Sequence, residues 1–190
     1  MTRGSLLAVV VALLVAPVAL AAPQWDPTEL PTIGGTAPAF GLEAFKGRGE
    51  DDSQARVVQL DDYCGISPGD TSMVLVAFVN ELVVKDDFKI LNQWSRKYSR
   101  DGLRIVAIST DEKPTAIADV VSKTRLPFPV LDDRYGIVAQ RYGIPGPTFT
   151  LLLDSACRVL GMSDKAVGAD SQRLGSAVDE RAKNARLLRK

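Results

Sequence analysis

The chain has no histidine and only two cysteines, Cys64 and Cys157, among 190 residues. Without His there is no Ser–His or Cys–His nucleophile. A His-ligated metal is excluded too, and two Cys are too few for a structural zinc site. An excess of one charge is also missing, since 23 Lys and Arg balance 23 Asp and Glu. That balance gives no reason to expect nucleic acid or an anionic membrane as partner. The acidic pairs Asp61-Asp62, Asp111-Glu112 and Asp132-Asp133 lack an ordered oxygen-ligand spacing. They read as turn and cap residues, so neither a metal nor a cofactor is called for.

Long apolar runs are scarce, and the first of them lies at the N-terminus. Arg3 gives a thin positive start, Leu6–Val15 an apolar core and Ala19-Leu20-Ala21 a small-x-small site. This is the pattern of a cleaved export signal covering 1–21. The run is short for a membrane span, so no stable anchor is expected after cleavage. The expected location is periplasmic or secreted, where disulfides are allowed.

Residues 22–38 read as an extended lead-in rich in Pro, Gly and Thr, with Trp25 packing there, and residues 39–190 as one domain. Ala39–Phe45 and Arg56–Leu60 are short strand candidates, joined by the charged loop Lys46–Gln54. Leu60–Tyr63 is a single turn, and Cys64–Ser72 a loop turning at Pro68-Gly69. The chain is organised around Met73–Trp94, an apolar run to Val79 feeding a helix with Phe88, Leu91, Trp94 and Tyr98 on one face. Asp86 and Asp87 near its start and Arg96, Lys97 and Arg100 near its end suit the helix dipole. Glu81, Lys85, Asp86 and Asp87 read as an exposed first turn rather than a carboxylate site.

Asp101-Gly102 closes that helix, and Leu103–Ser109 is a second buried strand. A helix after Pro114 buries Ile117, Val120 and Val121. Leu126–Leu131 is a Pro-interrupted edge piece, and Asp132–Tyr142 a short helix. Thr148–Leu153 and Arg158–Met162 are strands around a turn at Ser155-Ala156-Cys157. A last helix from Asp170 or Ser171 buries Leu174, Val178 and Leu187 or Leu188. Its basic end (Lys183, Arg186, Arg189, Lys190) is a solvated terminus or a dock for an acidic partner. The order predicts an α/β fold, a central mixed β-sheet with helices on both faces.

Several pieces in order carry a resemblance. These are Ile33-Gly34, Pro38-Ala39-Phe40, Leu60–Tyr63, Val74–Phe78, Ile105–Asp111, Phe128–Asp132, Tyr142-Gly143-Ile144 and Leu151–Asp154. Together they resemble the thioredoxin-like redoxins: the exported TlpA/ResA-type oxidoreductases and the alkyl hydroperoxide reductase/thiol-specific antioxidant group. The resemblance implies a thioredoxin-like fold over about Ile33 to Arg181. In that family a Cys-x-x-Cys opens the first core helix, where the helix N-terminus lowers the thiol pKa. Counting from Phe78, those positions here are Val83 and Asp86. Neither side chain exchanges with a disulfide, and the single peroxidatic Cys of peroxidase members is missing as well, so no catalytic residue is assigned.

The family's cis-proline falls on Thr148 in a gap-free alignment, or on Pro147 after a one-residue shift, and Pro147 is the candidate for a cis bond. The resemblance also makes the strands beside Cys64 and Cys157 antiparallel neighbours, with both Cys at the sheet end opposite the usual site. A structural disulfide is expected there; two free thiols or a relocated redox pair are the alternatives. The leading reading is an exported redoxin domain without its redox cysteines, a binding or adaptor protein. Its expected partner is another exported protein docking near Asn80–Asp87 and Ile144–Thr148. The alternative is a thiol-disulfide oxidoreductase or antioxidant protein using Cys64 and Cys157, or a partner's thiol.

Overall fold

The computed structural model describes residues 30–47, 56–65 and 71–188. The expected signal 1–21, Trp25, most of the charged loop, the Pro68-Gly69 turn and Arg189-Lys190 lie outside these. Along the chain run β1 (Gly41–Glu43), β2 (Val57–Gln59), β3 (Met73–Val79), α1 (Val84–Tyr98), β4 (Leu103–Ser109) and α2 (Thr115–Lys123). Then come β5 (Val130–Asp132), α3 (Ile137–Arg141), β6 (Phe149–Asp154), β7 (Val159–Ser163) and α4 (Ser171–Leu188).

All seven residues of β3 are buried, because the strand lies in the middle of a five-stranded sheet of order β5-β4-β3-β6-β7. β4 runs parallel to β3, from Met73 opposite Leu103 to Val79 opposite Ser109. β6 runs antiparallel to it, with Phe78 opposite Phe149 and Met73 opposite Asp154. The strand period of two then divides the core. Met73, Leu75, Ala77 and Val79 face α1, α2 and α4 through Phe88, Leu91, Ile117, Val121, Leu174 and Val178. Val74, Val76 and Phe78 face Tyr142, Val138, Phe40 and Leu60 on the other side. Both crossovers step the same way, β3 to β4 to β5, so right-handed connections place α1 and α2 on one face.

Of the expected lead-in 22–38 only residues 30–38 are described; they turn at Thr32–Gly35, where Gly35 donates to the Thr32 carbonyl at 2.9 Å, and they pack into the domain. Gly34 donates to the Val159 carbonyl and Ala37 to the Cys157 carbonyl, each at 2.8 Å, and Thr36 bridges to Arg158. This covers the β7 side of the sheet. On the other side Phe45 donates to the Val130 carbonyl at 2.8 Å, so the β1–β2 hairpin covers β5. Neither edge is left as a bare template for pairing.

α1 ends in a 3₁₀ turn, Ser99–Asp101, closed by Gly102 at φ 83°, a left-handed conformation that suits Gly. α4 closes over α1. The Tyr98 hydroxyl donates to Asp179 at 2.5 Å, and Arg186 Nε donates to the buried Asp101 carboxylate at 2.7 Å. A Cβ added at Gly175 would sit 3.4 Å from Trp94, which shows how closely the two helices approach.

Five expectations change. The expected helix over Asp132–Tyr142 shrinks to Ile137–Arg141, because Asp132 ends β5 and Asp133 is a cap. The Asp133 carboxylate accepts the Val138 N–H at 3.1 Å and the Ala139 N–H at 2.8 Å. Leu126–Leu131 shortens to a strand starting at Val130, beyond Pro127 and Pro129. Of the two expected core candidates at the end of the last helix, Leu187 is 68% exposed, and the side chain of Leu188 lies outside what is described. Leu174, Val178 and Ala182 form the buried stripe of α4; its next member is Arg186, and Leu187 is turned about 100° away from it. The fourth and fifth, at Asp87 and Pro147, lie within the site.

Candidate functional site

The chain leaves β3 at Asn80, and this residue shapes the junction with α1. Asn80 is buried, its side-chain oxygen accepts the Leu82 N–H at 3.1 Å, and its carbonyl accepts the Val84 N–H at 3.0 Å. The short polar side chain thus turns the strand into the helix. Leu82 is left 84% exposed at the tip. Val83 is half-buried and stands at the N-cap of α1, with no side-chain oxygen to cap it. The Asp86 N–H donates to the Val83 carbonyl at 3.1 Å, so these two residues share the first helical turn. Asp86 is exposed. Residues 80–87 hold no thiol, imidazole or hydroxyl.

Asp87 does not belong to the exposed acidic turn that was expected. It is 1% exposed, since its spacing from Val84, Phe88 and Leu91 puts it on the buried face of α1. Oδ1 accepts the Gly168 N–H at 2.8 Å, while Oδ2 has no hydrogen-bond partner among the described residues. Burial pushes this carboxyl above the usual Asp range, against the pull of the Gly168 and Val167 N–H groups. The signal was present in the sequence, because position 87 falls in the stripe 84, 88, 91.

The Thr110–Asp111 loop after β4 links the two halves of the expected contact surface. Burial raises the Asp111 carboxyl, with the Glu81 N–H lowering it and the Glu81 charge raising it, and its Oδ2 has no hydrogen-bond partner among the described residues. The Thr110 hydroxyl donates to the Pro147 carbonyl at 3.4 Å. Asn80–Asp87 and Ile144–Thr148 therefore meet at one end of the sheet, where β3 and β4 end and β6 begins. Tyr135, 82% exposed, follows β5 at the same end.

The candidate cis bond at Pro147 is trans, as are all peptide bonds among the described residues. The gap-free position is Thr148, where a non-proline cis bond would cost about 2.5–4 kcal/mol. Pro147 stands one residue earlier and follows the ordinary preference for trans.

The two cysteines are joined. Cys64, before β3, is bonded to Cys157 in the β6–β7 turn, with Cα atoms 5.5 Å apart. Gly65 donates to the Ser155 carbonyl at 2.8 Å beside the bridge. Cys157 takes φ 58°, an uncommon conformation for a residue with a Cβ. The bridge stands at the start of β3, and the Val83–Asp86 turn at its far end. Seven strand residues separate them, about 23 Å at the usual rise. Among the described residues no three His, Cys, Asp or Glu are grouped to hold a metal ion. No described helix is long and apolar enough to cross a membrane.

Comparison with known proteins agrees with this geometry. Thiol-disulfide oxidoreductase ResA of Bacillus thuringiensis subsp. konkukian (strain 97-27) is 35% identical over 71 residues, covering 37% of this chain. The chain spans 40% of that relative's length. Among solved structures, one described as a thiol:disulfide interchange protein DsbE from Chlorobium tepidum superposes with a TM-score of 0.65 at 25% identity. That match covers 80% of this chain and 99% of the other. Mycobacterium tuberculosis AhpC gives a TM-score of 0.63 at 20% identity, covering 80% and 93%, and shows the same fold. A family model, AhpC/TSA, matches residues 33–163. The match starts in the segment held against β7 and ends at the last residue of β7, so it takes in the whole sheet, the junction and both cysteines: the chain belongs to the AhpC/TSA family.

Proposed function

We propose that this protein is an exported redoxin domain that has lost the thiol chemistry of its relatives and works by binding another exported protein. One observation carries the reading. Both cysteines of the chain are spent on a single bridge at the far end of the sheet from the β3–α1 junction, and the turn holding Val83 and Asp86 has no nucleophile. A thiolate is required for exchange with a disulfide and for attack on a peroxide. What the junction retains is shape: exposed Leu82 and Tyr135, with Asn80–Asp87 and Ile144–Thr148 at one end of the sheet beside Thr110 and Asp111. Exposed apolar side chains beside polar backbone suit a protein contact.

Insulin-reduction and peroxidase assays on the purified protein test this. Rates at background are expected, for the native chain and for Cys64→Ser alike. Turnover that disappears in Cys64→Ser would overturn the binding reading. It would also establish the second one, in which the Cys64–Cys157 pair is the redox centre. The observation in favour of that second reading is that Cys64 is half-buried, packed at the edge of the core rather than fully inside it.

A further inference from the structure

A cavity of about 630 Å³ opens where β4 and β5 begin, beside the last turns of α1. That is a size suited to a small molecule, and it stands at the opposite end of β4 from the Thr110–Asp111 loop. Its floor is apolar, with Phe45, Leu126 and Phe128 in the wall. Four arginines border it as well: Arg56 just before β2, Arg96 on α1, Arg104 on β4 and Arg125 after α2. No Asp or Glu is among the described residues of the wall.

In a chain whose charges balance, four cations and no anion around one cavity is a separation of charge. The other side of the comparison sharpens it. Arg134, Arg158, Arg173 and Arg186 each hold a carboxylate. The four cavity arginines hold none among the described residues; Arg96 donates only to the Asn92 side-chain oxygen at 3.1 Å. Arg56 and Arg104 both lie near Tyr63 in the wall: burial pushes its phenol up, the Arg56 and Arg104 charges pull it down, and the Asp62 charge outside the wall opposes them. Low-dielectric walls beneath guanidinium groups that hold no carboxylate concentrate a positive potential.

We infer that this cavity binds an organic phosphate, its anionic head among the guanidinium groups and its apolar body against Phe45 and Phe128. A phosphate monoester brings close to two negative charges and three acceptor oxygens, and planar guanidinium forks match those oxygens in pairs. A monocarboxylate brings one charge and two oxygens, too little for four arginines. The site is separate from the β3–α1 junction, so it stands or falls apart from the proposed protein contact.

Calorimetric titration of the purified chain with phenyl phosphate tests the inference. Saturable binding at one site per chain is expected, weakened by salt. Phenol and inorganic phosphate each supply half of the contacts and should bind at least about tenfold more weakly. Arg104→Gln with Arg125→Gln should weaken phenyl phosphate at least about tenfold, and Arg134→Gln, whose partner is Asp132, should not. If the Gln pair fails to fold, Arg104→Lys with Arg125→Lys keeps the charge and should still weaken binding, because Lys lacks the fork. No saturable binding, binding indifferent to these variants, or benzoate binding as tightly as phenyl phosphate would each overturn it. So would a native chain that binds nothing while Glu50→Gln, Asp51→Asn, Asp52→Asn together binds. That result would show that the cavity serves the chain's own acidic segment.

Discussion

The Gly168 N–H donates to Oδ1 of Asp87 at 2.8 Å, tying the loop before α4 to the first turn of α1. The bond joins two elements far apart in sequence, and it does so with a carboxylate whose other oxygen is buried and unpartnered.

The carboxyl of Asp87 is raised above the usual range, first by burial. The native state therefore holds this proton to a higher pH than the unfolded chain does. Over the interval between the unfolded and folded values the native state binds more protons, so stability falls as pH rises. Asp87→Asn keeps an acceptor for Gly168 and removes the charge. At neutral pH it should stabilise by on the order of 1 kcal/mol. Below about pH 4, where an unfolded Asp is also protonated, the gain should vanish. Urea unfolding at the two pH values measures this; a variant less stable than the native chain at neutral pH would show the charge is not a burden.

The bridge between Cys64 and Cys157 closes a span of 93 residues. Cys64→Ser with Cys157→Ser should cost up to about 4–5 kcal/mol in the chain-entropy account. Thiol counting under denaturing conditions should find none before reduction and two after. Free thiols in the unreduced protein would contradict the bridge.

Tyr142 is fully buried, and its hydroxyl donates to the Pro38 carbonyl at 2.5 Å. Its ring packs near Phe78 and Phe40. Tyr142→Phe keeps the ring contacts and leaves the carbonyl without this donor. A loss of about 1–2 kcal/mol is expected. A loss smaller than the error of the denaturation midpoint would mean that the Pro38 carbonyl finds another donor.

Leu82 touches little of its own protein, so Leu82→Ser should shift stability by less than about 0.5 kcal/mol. If the junction is the contact surface, the same change should weaken capture of the partner once one is identified. A large drop in melting temperature would instead assign Leu82 a role in the fold.

The sheet was legible because its strands obey one rule each. Met73–Val79 and Leu103–Ser109 are continuous apolar runs, as strands buried on both faces must be, and the structure places both at those residues. The buried face of α1 followed from the spacing of Phe88, Leu91, Trp94 and Tyr98. Asp87 was misread because residue type outweighed position: an Asp in a first turn is commonly a solvated partner of the dipole, and only its place in the stripe marked it as buried. Asp133 was read as a turn or cap residue and is one, yet the helix it caps starts later than periodicity alone suggested. At the junction the sequence shows which residues stand there, Val83 and Asp86 among them. It did not show that Thr110 and Asp111 link the two flanking segments, because those contacts join residues distant in the chain. The four arginines of the cavity come from four separate elements, and no local pattern announces them.

The Cys64–Cys157 bridge has a topological consequence. The span it closes runs from before β3 to after β6 and contains β4, β5 and the first three helices. A protease that cuts once anywhere inside that span makes two polypeptides that remain one molecule. Such a nicked form would migrate near full length without reductant and as two fragments with it. Damage to the junction loops would thus leave both halves tethered, with the sheet free to re-form around the cut.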